Sequence, residues 1–190
     1  GLSDEGGLFV PQSFPQVDVK AICALDYPEM AAAIVGQYLT DYSQEFLQEA
    51  AKATYGAAFG GKAGYLAPVS DEVYSLELWH GPTCAFKDFG AGFMGRMTGL
   101  LGAADEKLVI LTATSGDTGS AVAHGFHNVP GVEVVVLYPE GKISRLQECQ
   151  MTALGGNIHP LRVAGTFDDC QRLVKELFAD APFRKRRRVT

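Results

Sequence analysis

The chain has 190 residues, 47% of them apolar and 20% charged, with a formal net charge of −6 at pH 7. This is globular composition, enough for one fair-sized domain or two small ones, and its acidic balance argues against a nucleic-acid binder. No apolar run reaches membrane-spanning length, no signal peptide is visible, and Cys23, Cys84, Cys149 and Cys170 have neither C-x-x-C nor zinc-like spacing, so the expectation is a cytoplasmic protein with reduced thiols, no metal site and no membrane partner.

In chain order, residues 1–17 are rich in Gly and Pro and read as an extended loop. Residues 28–59 carry two helical patterns, ended by Gly60-Gly61, and YSLELW at 74–79 reads as a strand. Gly81, Pro82 and Thr83 read as a turn and cap. They precede a helix whose apolar stripe is Phe86, Phe89, Phe93, Met97 and Leu100. KLVILTA (107–113) and VEVVVLY (132–138) are continuous apolar strands separated by the helix DTGSAVAHGFH (117–127). SRLQECQMTAL (144–154) is a helix opened by a capping box from Ser144 to Gln147. NIHPLRV is a strand that Pro160 assigns to a sheet edge, and TFDDCQRLVKELFAD is a final amphipathic helix. The basic run at 184–188 reads as a solvated helix terminus or tail.

Strands alternating with helices over short loops predict an α/β fold, a parallel sheet with helices on both faces. A helical segment over 1–73 precedes an α/β domain over 74–190. In such sheets ligands bind beyond the carboxyl ends of the strands, which brings together loops 80–87, 114–119 and 139–144. Lys87 is the unusual residue of the first loop. It is a cation at the positive end of a helix, where it is disfavoured unless it reaches water or its charge is meant to be weakened. The second loop, ATSGDTGSA, carries Gly116 and Gly119, whose backbone N–H groups suit an anion, and the hydroxyls of Ser115, Thr118 and Ser120. A plain capped turn, with Ser115 or Asp117 as N-cap, is the competing reading. In the third loop, YPEGKIS, Lys142 and Ser144 suit a phosphate or simply face water, and the spacing excludes a Walker A loop. GAGFMG (90–95) matches a dinucleotide fingerprint, yet it lies inside a helical stripe, where its glycines suit close helix packing instead. His124, His127 and His159 read as surface or packing residues, while His80 borders the Lys87 loop.

Taken together and in this order, HGPTCAFKDFG, TATSGDTGSA, LYPEGKIS and LGGNI resemble the threonine synthases, pyridoxal-phosphate (PLP) enzymes of the tryptophan-synthase-β-like fold. GLSDEGGLFVP resembles that family's amino-terminal segment. The resemblance implies conversion of O-phospho-L-homoserine and water to L-threonine and phosphate. It implies that Lys87 carries pyridoxal 5'-phosphate, with Phe86 and Asp117 beside it, and that Phe86, Phe89 and Trp79 bury the amine. Lys87, once released, is the base at the substrate Cα. Ser115, Gly116, Thr118 and Gly119 hold the substrate carboxylate, and Thr83, Lys142 and Ser144 are candidates for its phosphate. A variant releasing a keto acid, and a nucleotide-binding or non-catalytic module of the same fold, are the alternatives. Nothing after ALGGNI matches the family's grip on the cofactor phosphate or its partner for the pyridine nitrogen. The chain therefore resembles an amino-terminal portion, expected to turn over poorly without the missing carboxyl-terminal half, with monomer and homodimer both open.

Overall fold

The computed structural model describes residues 7–102 and 107–190, so the GLSDEG opening lies outside the described residues. A single turn, α1 (Val19–Ile22), precedes α2 (Tyr27–Val35) and α3 (Gln44–Tyr55). Asp26 and Ser43 cap the second and third helices by accepting the N–H groups of Glu29 and Phe46. A 3-10 turn at Ala57–Phe59 leads to β1 (Tyr65–Pro68) and β2 (Tyr74–Glu77), an antiparallel ribbon with Leu66 opposite Leu76. The ribbon spans the expected 73/74 boundary, because its strands need each other for backbone hydrogen bonds.

Next come α4 (Lys87–Leu100), β3 (Leu108–Ala113), α5 (Asp117–Phe126), β4 (Val132–Pro139), α6 (Arg145–Thr152), β5 (Ile158–Val163) and α7 (Phe167–Ala179). The chain closes with α8 (Ala181–Arg186) and β6 (Arg188–Val189). The basic run is a solvated helix terminus, since α8 ends at Arg186 and Arg184, Arg186, Arg187 and Arg188 are exposed, and beyond it Arg188 pairs with Leu108 in a short parallel strand.

The main sheet is parallel throughout, in the order β5-β4-β3-β6. Along β4 the side chains alternate. Val132, Val134, Val136 and Tyr138 join Ala123 and Phe126 of α5, Met151 of α6, Ile110 and Ile158 in the main core. Helix α7 packs on β3 and β4, and its Cys170 is fully buried. Pro160 lies in β5 at the sheet edge, as its missing N–H requires.

A second core joins the amino-terminal helices to the rest. Ala32, Leu47, Ala50 and Ala51 enclose Met97 of α4, with Phe93 against them. Two of the GAGFMG glycines serve close packing. A Cβ on Gly92 would meet Thr54 Cγ2 of α3 at 3.1 Å, and one on Gly95 would sit 1.9 Å from the Gly125 carbonyl oxygen, so α4 and α5 touch backbone to backbone, whereas Gly90 has nothing within 4 Å. The dinucleotide alternative has no loop to occupy, since residues 90–95 are all helical.

Candidate active site

Lys87 is the first residue of α4 and half-buried, with its Nζ 4.4 Å from the centre of the Phe86 ring. That is a cation–π distance. The expected aromatic enclosure is only partial. Phe89 is half-buried, but Phe86 is 60% exposed and Trp79 50% exposed. The physical reason is position, because both rings stand on the turn between β2 and α4, where no described element packs over them.

The turn before Lys87 is held from inside the helix. No side chain caps α4 at Phe86, so Thr83 is not its cap. Instead Thr83 donates its N–H to Asp88 Oδ2 at 2.8 Å and its hydroxyl to Asp88 Oδ1 at 2.6 Å. Both residues are buried. Thr83 therefore has its hydroxyl proton committed within the protein rather than pointed at a substrate phosphate. Cys84 takes a left-handed φ of 59°, a conformation that costs a non-glycine residue about 1 kcal/mol. His80 Nε2 lies 2.6 Å from Glu77 Oε2, which ties the ring to the end of β2.

The second loop is organised by Thr114, at the carboxyl end of β3. Its Oγ1 accepts the N–H groups of Gly116 at 2.9 Å and Gly119 at 2.8 Å. The expected anion donors at Gly116 and Gly119 are thus already paired, because Thr114 supplies the cap that neither Ser115 nor Asp117 supplies. The amides of Asp117 and Thr118 lie ahead of the first bond of α5, Ser120 N–H to the Gly116 carbonyl, and have no acceptor among the described residues. They, with the exposed Ser115 and half-buried Thr118, are the donors left for an anion.

Helix α6 ties the three loops together. Ser144 caps it, accepting the Gln147 N–H at 3.2 Å and donating its hydroxyl to Gln147 Oε1 at 2.9 Å. The same carboxamide donates through Nε2 to Asp117 Oδ1 at 2.5 Å, which turns that carboxylate toward α6. One turn on, Gln150 Nε2 donates to the Thr83 carbonyl at 3.3 Å. The helix is itself fixed to the sheet by Glu148, which accepts from Tyr138 at 3.0 Å and from Arg162 Nε at 2.9 Å. Lys142 is exposed, and its amine is unpaired among the described residues.

Four residues in this arrangement were not singled out for the site by sequence reasoning: Asp88, Thr114, Gln147 as a bridge, and Gln150. Only Gln147 had a local signal, its capping-box spacing. His124, half-buried against α4, is held below the usual imidazole range by burial, opposed by the nearby Asp88 carboxylate. Among the described residues no group of three or more His, Cys, Asp or Glu side chains could hold a metal ion.

Residues 65–186 match the family model described as pyridoxal-phosphate dependent enzyme, and residues 1–55 match the one described as threonine synthase N terminus. A threonine synthase of Escherichia coli is 46% identical over 184 residues, covering 95% of this chain and 42% of that protein. That of Serratia marcescens is 45% identical over 183 residues, with the same shares covered. Among solved structures, PLP-bound threonine synthase from Brucella melitensis superposes with a TM-score of 0.90 at 34% identity, over 100% of this chain and 42% of the other. Threonine synthase from Escherichia coli gives a TM-score of 0.83 at 42% identity, over 100% of this chain and 44% of the other. The chain thus spans about two-fifths the length of the relatives it matches. With more than half of its residues inside the first family model, the chain belongs to the pyridoxal-phosphate dependent enzymes.

Proposed function

We propose that this chain is the amino-terminal part of a threonine synthase, a lyase that turns O-phospho-L-homoserine and water into L-threonine and phosphate, with PLP carried on Lys87. The observation that carries the reading is the placement of Lys87. It is a half-buried residue at the head of α4, in a turn that α6 links to the serine-glycine turn after β3.

The residues present fit the cofactor. Lys87 offers an amine at this junction, and the exposed Phe86 offers an aromatic face beside it. When bound, PLP supplies an electron sink for charge developing at the substrate Cα. The chain's own groups do the rest. Lys87 would hold the cofactor through its side-chain amine, and that amine, when free, would take the proton from the substrate Cα. Ser115 and Thr118, with the amides of Asp117 and Thr118, orient the substrate carboxylate. Gly116 and Gly119 shape that turn rather than donate to it. Lys142, with its amine unpaired, serves the substrate phosphate, while Ser144 keeps α6 and the third loop in place. In overall balance, protons leave Cα and Cβ as phosphate departs from Cγ. One proton returns to Cγ to complete the methyl group, water supplies the hydroxyl at Cβ, and a proton returns to Cα, so one water is consumed for each phosphate released.

The reading takes the protein as cytoplasmic, in keeping with four free cysteines, and makes no use of nucleic acid or membrane. It expects the 190-residue chain alone to bind PLP weakly and to turn over poorly, because groups for the cofactor phosphate and ring nitrogen are not identifiable on it. Borohydride reduction in the presence of PLP, followed by peptide mass mapping, tests the assignment. The expected adduct is on Lys87. An adduct confined to other lysines would sink it, and tight stoichiometric cofactor would overturn the expected weakness.

A further inference from the structure

We infer that Asp88 is a positioning residue for Lys87, acting through Thr83 and resting on the reading of Lys87 as the cofactor-bearing amine. The carboxylate is 4% exposed and adjoins Lys87 on α4, yet it points back at the preceding turn. Each oxygen has its own donor, Oδ2 the Thr83 N–H at 2.8 Å and Oδ1 the Thr83 hydroxyl at 2.6 Å. Two bonds to one residue fix both the distance and the twist of the turn relative to the helix. The Thr83 carbonyl is held from the other side by Gln150 of α6. Residues 84–86 are therefore suspended between this clamp and the helix, and Phe86, the last of them, lies under the Lys87 amine.

Gly81 supports the assignment independently. A Cβ there would come within 2.5 Å of Asp88 Oδ2 and 2.7 Å of Asp88 Cβ, so the turn packs its backbone directly on this carboxylate and has no room for a side chain at 81. On its far side Asp88 borders a cavity of about 50 Å³ lined by Thr54, Arg96 and His124. A purely electrostatic role through those groups is the competing explanation, and it separates cleanly. Asn at 88 keeps the clamp, its oxygen taking the Thr83 N–H and its amide donating to Thr83 Oγ1, while removing the charge.

The experiment uses the 190-residue chain with the wild-type sequence and with D88A, D88N, T83V and T83S. Two readouts are taken. One is amide hydrogen exchange at Thr83. The other is the rate at which PLP and borohydride label Lys87 relative to the exposed Lys175 within the same molecule. D88A and T83V are expected to lower the Lys87-to-Lys175 ratio about tenfold, and D88A to lose protection at Thr83. D88N and T83S are expected to restore the ratio to within about threefold of wild type. A folded D88A with wild-type protection and ratio overturns the inference, and so does a D88N as impaired as D88A, which assigns the role to charge. Should D88A not fold, the serine and valine variants at 83 decide, and equal ratios in the two overturn the clamp. Absence of any Lys87 label in the wild-type chain defeats the proposed function instead, while exchange at Thr83 still reports whether Asp88 holds the turn.

Discussion

One oxygen, Thr114 Oγ1, accepts two amide N–H groups of the turn that follows it, and neither acceptor nor donors are open to water. The residue type is the whole of the device, since valine has the same shape without the oxygen. Thr114→Val is expected to leave both amides buried and unpaired and to cost about 2 kcal/mol. Thr114→Ser, which keeps the oxygen, is expected to lose less. Urea denaturation midpoints at unchanged slope measure the difference. Such single-atom roles are the least legible in a sequence. ATSGDTGSA shows that a tight turn stands there and which residues could donate, but not that its own first threonine, Thr114, already claims two of the donors. Asp88 is the same case, because its partner is five positions back through a turn whose path no spacing rule supplies.

At the scale of elements, the α4–α5 contact sets where the Lys87 helix can lie. Gly95 and Gly125 oppose each other, and a Cβ on Gly125 would meet the Ala91 carbonyl oxygen at 2.5 Å. Gly95→Ala is therefore expected to push the helices apart and cost about 3 kcal/mol. Gly99, in the same helix, has only Val129 Cγ1 at 3.8 Å from such a Cβ, so Gly99→Ala is expected to stabilise by about 0.5 kcal/mol through helix propensity. Thermal and urea melts of the pair should move in opposite directions. The helices and the strands β3 and β4 were readable because their signals are local: apolar runs, a capping box at Ser144, a proline that suits only an edge. The β1–β2 ribbon was half-read, since YLAP is four residues long, largely exposed and defined by its partner. β6, with two residues, exists only through its bonds to β3.

For the molecule as a whole, the apolar surface left in solvent is large. Phe9 and Phe14 of the amino-terminal segment are 75% and 78% exposed, and Leu66 and Leu76, opposite one another on the ribbon, are 57% and 54% exposed. Exposed apolar groups that lie together are the surfaces by which chains associate. The chain on its own is expected to bind a hydrophobic dye and to self-associate with rising concentration. The double substitution Leu66→Glu with Leu76→Glu is expected to reduce both with little change in melting temperature, as followed by dye fluorescence and light scattering. The sheet's outer flank behaves otherwise. Val134 N–H reaches the Asn157 carbonyl and Glu140 N–H the Val163 carbonyl, so the odd-numbered residues of β5 turn their backbone toward β4 and Pro160 turns away from it. The ring takes nothing from the ladder, yet it deletes a donor from the rim, flanked by the side chains of His159 and Arg162. A foreign strand arriving there finds a broken row of hooks, so this border is a poorer template for fibril-like stacking than an unbroken edge would be.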